Sequence, residues 1–193
     1  MLYNSLNLEC ARFASKSDNK PELASVFFRS DRTVATDGFR LLEVTTPTDV
    51  KPEEFNKDAM RGCAPFLADA KAVAKIKISK HKTLPALDNV AIKHLDKDGA
   101  TFLLIDDDLS QSTITARVVD GKFPDYESIF PSGNPVAEVT INGKLLAELL
   151  ETMAKLNQLS SVKIKFYAND KPFALFAEGN GQAARGLLMP IRE

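Results

Sequence analysis

The sequence predicts an α+β protein made of one small unit repeated three times, with antiparallel sheets and helices on one face. Three observations lead there. Segments of helical period are each followed by three or four segments of strand period, always in that order. Two polar, proline-bearing stretches, Thr46–Asn56 and Gly121–Pro135, part the blocks. Dividing the 193 residues by three gives about 64 per block, a length suited to a βαβββ unit. Residue identity between blocks is slight, so the repeat is one of architecture.

The elements follow in chain order. Residues 2–16 read as a first helix, with Leu6, Cys10, Phe13 and Ala14 on one apolar stripe and Arg12 and Lys16 off it. It starts almost at Met1, which leaves little room for a leading strand. Lys20-Pro21 ends that region, because a residue before proline disfavours helical geometry. Strands are expected in 24–30, 32–38 and 39–46, with Asp37-Gly38 supplying a tight turn. Residues 64–75 read as a second helix with Pro65 in its first turn. Strands then follow in 75–79, 88–95, 100–106 and 112–121, the middle pair joined by Asp96–Gly99. In the third block a strand at 137–141 leads to Asn142, a good N-cap. Leu145, Leu146, Leu149, Leu150, Met153 and Leu156 then form a wide apolar stripe. Three strands, 161–168, 172–178 and 182–191, close the block. Residues 1–131 thus read as a complete two-unit domain, and 136–193 as half of one.

Composition excludes several classes. Apolar residues make up 44% and charged residues 26%, enough to bury a core without metals or disulfides. Two cysteines cannot make a disulfide framework. No apolar stretch is long enough to span a membrane and none resembles a signal peptide, so a cytoplasmic protein is expected. Lys and Arg total 25 against 26 Asp and Glu, a net charge of −1, so bulk charge carries no nucleic-acid signal.

Catalytic constellations are missing from the pattern. His81 and His94 lack metal-ligand or dyad spacing, and Asp106-Asp107-Asp108 reads as a solvated hairpin turn. No phosphate loop, dinucleotide fingerprint or nucleophile elbow occurs. Cys10 and Cys63 read as small hydrophobes. No catalytic residue, metal or cofactor is expected. The cations are more telling by position. Arg12, Lys16 and Lys20 lie along and just after the first helix, Arg61, Lys71 and Lys75 flank or ride the second, and Lys144 and Lys155 belong to the third. Such residues are commonly a solvated face. If the helices face one way, they form a positive surface for duplex phosphates, read without sequence preference.

Three segments add a resemblance. Val34-Ala-Thr-Asp-Gly-Phe-Arg-Leu41, Arg117-Val-Val-Asp-Gly-Lys-Phe-Pro-Asp-Tyr126 and Leu188-Met-Pro-Ile-Arg192 occur in this order. Together they resemble the bacterial DNA sliding clamp family, the beta subunit of the replicative polymerase. The resemblance implies a DNA-clamp fold, with helices lining the hole of a ring and sheets forming its wall. It implies a non-catalytic processivity factor that encircles duplex DNA and captures short peptides of polymerase and clamp loader. The implied peptide cleft comprises Thr36, Gly38, Phe39, Arg40, Leu41, Pro124, Ile129, Met189, Pro190, Ile191 and Arg192. Read without the resemblance, Leu41, Ile129 and Ile191 would pass for core.

The chain departs from the family in length and at three places. Phe39 stands where histidine is frequent, Ser128 where arginine is, and Glu193 where an apolar residue is. It matches the family's middle domain and the last half of its final domain. Three units per chain imply a ring of four chains, since twelve units complete the family's ring. The alternative reading is a clamp-like interaction protein, a decoy or inhibitor of a replication clamp, that never encircles DNA.

Overall fold

The computed structural model describes residues 1–50, 55–60, 62–80, 84, 87–106, 108–168 and 171–191. The chain divides into two compact units, Met1–Ile129 and Phe130–Glu193.

The first unit runs β1 (Leu2–Asn4), α1 (Ser5–Glu9) with a 3-10 turn at Cys10–Phe13, β2 (Ser25–Phe28), β3 (Arg32–Thr36) and β4 (Leu41–Thr45). It then repeats that order as β5 (Phe66–Asp69), α2 (Ala70–Val73), β6 (Asn89–Leu95), β7 (Gly99–Ile105) and β8 (Gln111–Val119). The eight strands form one antiparallel sheet ordered β1-β6-β7-β8-β5-β2-β3-β4. Neither repeat closes on itself, because each lends its first strand to the second strand of the other. Both seams share one register. Asn4, which caps α1, stands opposite Asn89, and Asp69, which caps α2, stands opposite Ser25.

Alternation along the strands sends neighbouring side chains to opposite faces. On the helix side, Leu8, Cys10 and Ala14 share a core with Ala70, Val73, Ile76, Val90 and Ile92. Phe28 is its centre. Tyr3 packs edge-on to it with centroids 5.0 Å apart, Phe66 stacks on it at 5.1 Å, and Phe102 lies 5.4 Å away. Two residues from each repeat therefore meet at one ring. The opposite face carries two smaller clusters, each covered by a connector: Phe55 and Ala59 over Leu2, Ala91 and Leu103, and Phe123 and Tyr126 over Val34 and Leu67.

Asn7 ties α1 to the sheet. Fully buried, it donates through Nδ2 to Thr33 Oγ1 and to the carbonyls of Val44 and Thr45, each at 3.1 Å. Its Oδ1 accepts from the Asn4 N–H at 3.0 Å and closes a reciprocal capping box.

Several sequence expectations change. The first helix is shorter and tighter than its apolar spacing predicts, and a strand, β1, does precede it. The switch from 3.6 to about 3 residues per turn at Cys10 shifts the stripe. Leu8 is buried in place of Leu6, which is exposed. The second predicted helix, 64–75, is half strand, because Phe66–Asp69 fills the slot between β2 and β8 and only Ala70–Val73 is helical. A short apolar run fits either form, and the two available strand partners decide it. The expected strand at 75–79 has no ladder. Ile76 and Ile78 pack into the helix-side core directly.

The second unit is one repeat. Asn142 caps α3 (Gly143–Met153), accepting from the Lys144 and Leu145 N–H groups, and β9 (Lys163–Lys165), β10 (Phe173–Gly179) and β11 (Gln182–Leu188) follow. Its sheet is ordered β11-β10-β9. Asn180 and Gly181 both take positive φ, as a two-residue hairpin requires. Leu146, Leu149, Leu150 and Leu156 pack on Phe173 and Leu175, whereas Leu145 is exposed. The predicted strand at 137–141 is not a ladder strand. The Ile191 N–H donates to Thr140 O at 2.8 Å, while Val139 and Ile141 pack inward.

Two outcomes check this account. Asn7→Ala leaves the Val44 and Thr45 carbonyls without their buried donor, and chemical denaturation should show a loss of about 2–3 kcal/mol. A Cβ on Gly179 would collide with the Leu156 carbonyl, so Gly179→Ala should unfold the second unit at lower denaturant than the first.

Candidate functional site

The predicted DNA-facing cations of the first unit gather around its two helices. Arg12 lies in the 3-10 turn Cys10–Phe13 and pairs with Glu9 at 3.0 Å. Lys16 and Lys20 lie beyond the helix, in the loop leading to β2, so the fourfold spacing from Arg12 does not set their direction. Lys71 of α2 reaches both oxygens of Asp18, at 2.9 and 3.0 Å, which brings α2 onto the loop that carries Lys16 and Lys20. Lys75 is exposed just after α2.

Between the two helices runs a groove of about 390 Å³, lined by Leu8, Glu9, Arg12, Val73, Ile76 and Lys77. Lys77, which sequence reasoning passed over, therefore belongs with Arg12. Its signal was the alternation of 75–79, which exposes Lys77 between buried Ile76 and half-buried Ile78. Arg61 lies outside the described residues. Lys144 in the first turn of α3 and Lys155 just after it are exposed in the second unit.

The predicted cleft residues divide between the units. In the first, Thr36 Oγ1 donates to Arg40 O at 2.8 Å and accepts from the Gly38 N–H, whose φ of 90° favours glycine. Asp37 Oδ1 accepts from the Phe39 and Arg40 N–H groups, both at 3.0 Å. Those bonds, the Phe39 N–H first, hold the Asp37 carboxyl below the usual carboxylate range, and Arg40 adds to them. The Arg40 guanidinium turns toward the first helix, 5.0 Å over the Phe13 ring, and donates to Arg12 O. Leu41 packs against the outer cluster instead.

The connector after β8 lies on that same outer face. Phe123 stacks on Phe27 at 5.0 Å, Tyr126 meets Phe123 edge-on, and Arg29 binds Glu127 at 2.7 Å. Pro124 is half-buried there, while Ile129 is 73% and Phe39 99% exposed. In the second unit Met189 and Ile191 are each about half exposed, and Pro190 is half-buried. Ile129 and Ile191 are thus surface residues and not core. Arg192 lies outside the described residues. A second groove, about 730 Å³, runs beside the connector along Phe27, Leu67, Val119, Gly121, Lys122 and Phe123.

Reactive groups are held quiet. Burial pushes the Cys10 and Cys63 thiols up. His94 is exposed and bonds Asp96, whose other oxygen accepts from the Asp98 and Gly99 N–H groups of the turn. His81 and Asp107 lie outside the described residues. Among the described residues no three His, Cys, Asp or Glu side chains gather as metal ligands, and no helix is long and apolar enough to cross a membrane.

Known structures supply the class of fold. No protein-family model matches the chain, and no curated protein matches it. Solved bacterial sliding clamps do. The beta subunit of DNA polymerase from Streptococcus pyogenes is 15% identical with a TM-score of 0.69, over 100% of this chain and 50% of that one. The DNA polymerase sliding clamp of Pseudomonas aeruginosa is 18% identical with a TM-score of 0.66, over 98% of this chain and 50% of its own. That of Bacillus subtilis is 13% identical with a TM-score of 0.68, over 100% and 49%. The chain has the α+β DNA-clamp fold, a clamp-like architecture of antiparallel curled sheets with a few helices. It spans about half the length of the clamps it matches.

The Asp37 turn is testable by pH. A carboxyl whose folded pKa is depressed stabilises the fold above its unfolded value, and loses that contribution as pH falls through the folded value. Asp37→Ala should cost about 1–3 kcal/mol at pH 7, read from denaturant midpoints. The gap from the parent protein should close below about pH 4.

Proposed function

We propose that this protein is a DNA sliding clamp, a non-catalytic processivity factor that encircles duplex DNA as a homo-oligomeric ring. The observation that carries the reading is the pairing of α1 and α2 on one face, with Arg12 and Lys77 lining the groove between them, Lys71 and Lys75 on and just after α2, and Lys16 and Lys20 in the loop that Lys71 holds through Asp18. Glu9 and Asp18 offset part of that charge. A ring that must slide wants loose, screened attraction to phosphates and no base contacts. Long, flexible lysines suit that task, since each neutralises a phosphate as a mobile point charge.

The opposite face would serve partners. Exposed Ile129, the Thr36–Leu41 hairpin and the connector over Val34 and Leu67 offer apolar footholds beside polar backbone groups. A short hydrophobic peptide from polymerase or clamp loader needs that combination. Met189, Pro190 and Ile191 offer apolar footholds of the same kind on the second unit. Four chains of three repeats each would supply a ring of twelve.

The test is retention on a nicked circular plasmid followed by linearisation. A clamp stays on the circle and runs off the cut ends, and a peptide-binding decoy is never retained. Changing Arg12, Lys16, Lys71 and Lys77 together to Glu should abolish retention and leave binding of a polymerase peptide intact. Single changes to Ala should each reduce the salt slope of DNA binding by roughly one. Ile129→Asp should do the reverse, keeping DNA and losing the peptide. Equal loss of both by either variant overturns the assignment of faces.

A further inference from the structure

The second unit holds one βαβββ repeat, and the first unit shows what such a repeat requires. There, each repeat's first strand is covered by the second strand of the other, β1 on β6 and β5 on β2, in a single register. The equivalent first strand in the second unit is 137–141, which ends at the helix cap Asn142 as β1 ends at Asn4 and β5 at Asp69. Its other neighbour is already in place. Thr140 receives a hydrogen bond from Ile191, as Leu67 of β5 stands opposite Val119 of β8. The equivalent of β6 is β9, which pairs only with β10 among the described strands. An edge of this kind is a template for another strand.

We propose that a second copy of this chain completes the half-domain, the two copies exchanging residues 137–141 onto each other's β9. This deepens the ring reading by naming the partner of one of its joints, and it does not depend on DNA binding. The register of the first unit fixes the contacts. Counting along the ladders sets Asn142 opposite Ser161, Ile141 opposite Val162, Thr140 opposite Lys163, Val139 opposite Ile164 and Glu138 opposite Lys165. Ser161 then stands where Ser25 and Asn89 stand in the two existing seams.

Burial and charge agree with that register. Ile92 and Phe28, the counterparts of Ile164, are fully buried by the opposite repeat, whereas Ile164 is 37% exposed. Tyr3, Phe66, Phe28 and Phe102 form the aromatic centre of the complete unit, and Ile141, Val139, Ile164 and Leu175 hold the same places here. An apolar groove of about 180 Å³, lined by Val139, Ile141, Leu146, Ile164, Phe166 and Phe173, lies open where the second repeat would pack. Glu138 and Lys165 are exposed and carry opposite signs across the predicted seam. A two-fold axis makes every contact twice, the commonest arrangement in homo-oligomers.

The experiment is sedimentation of the full chain over the micromolar range. The parent protein should run at no less than twice the single-chain mass. Ile164→Asp, checked for folding by circular dichroism, should lower that mass at least twofold. Glu138→Lys and Lys165→Glu should each weaken association on the order of tenfold, since each creates two like-charge pairs, and the double reversal should restore it. A single-chain mass for the parent protein overturns the proposal, as does an Ile164→Asp mass equal to the parent's or a double reversal that fails to rescue. A seam that forms in a protein not retained on plasmid removes the clamp reading and leaves this one standing.

Discussion

The exchange of first strands is the constraint on which the rest of this protein depends. A βαβββ repeat has one short helix and a sheet with open edges, and it cannot bury both its apolar face and its unpaired backbone groups. In the first unit two repeats solve the problem for each other. The solution explains why Tyr3, Phe28, Phe66 and Phe102, far apart in sequence, converge on one centre. It also places both helices side by side over a shared core, which makes a common cationic face possible at all.

The two sheet faces then divide the labour. The helix side collects lysines and one arginine on short, capped helices and the loop beside them. The other side is sealed by connectors, whose aromatic residues cover the strands and leave Ile129 at the surface. Arg40 links the two sides in an instructive way. It sits in a hairpin that sequence assigns to the peptide face, yet its side chain is spent on Phe13, Asp37 and the Arg12 carbonyl. Membership of a motif fixes where a backbone goes, and packing decides which way a long side chain leaves it.

Much of the fold was legible. Nine of the eleven strands expected from alternation form close to where the pattern puts them, because β6, β7, β8 and their counterparts have long alternating runs and clear turns. The Asp-Gly and Asp96–Gly99 turns form for the reasons their chemistry gives. The helices of the first unit were the weak point. They are four and five residues long, too short to show a period, and the strands before them share their apolar character. One local signal would have aligned the repeats: an Asn or Asp directly after a short apolar strand, at Asn4, Asp69 and Asn142, each capping the helix that follows.

The sequence by itself determined the α+β class, the threefold count of repeats and the residue types at turns and caps, since all of these are set by neighbours within a few positions. Only the tertiary structure decided that β1 exists, that 64–75 is half strand, and which cations share a groove. Those outcomes depend on partners from the other repeat, and a strand without a neighbour has no local reason to be one. Residues 137–141 make the point within the same chain. They have the composition of a strand and the cap that should follow it, and Thr140 accepts from the Ile191 N–H, yet no ladder forms over them.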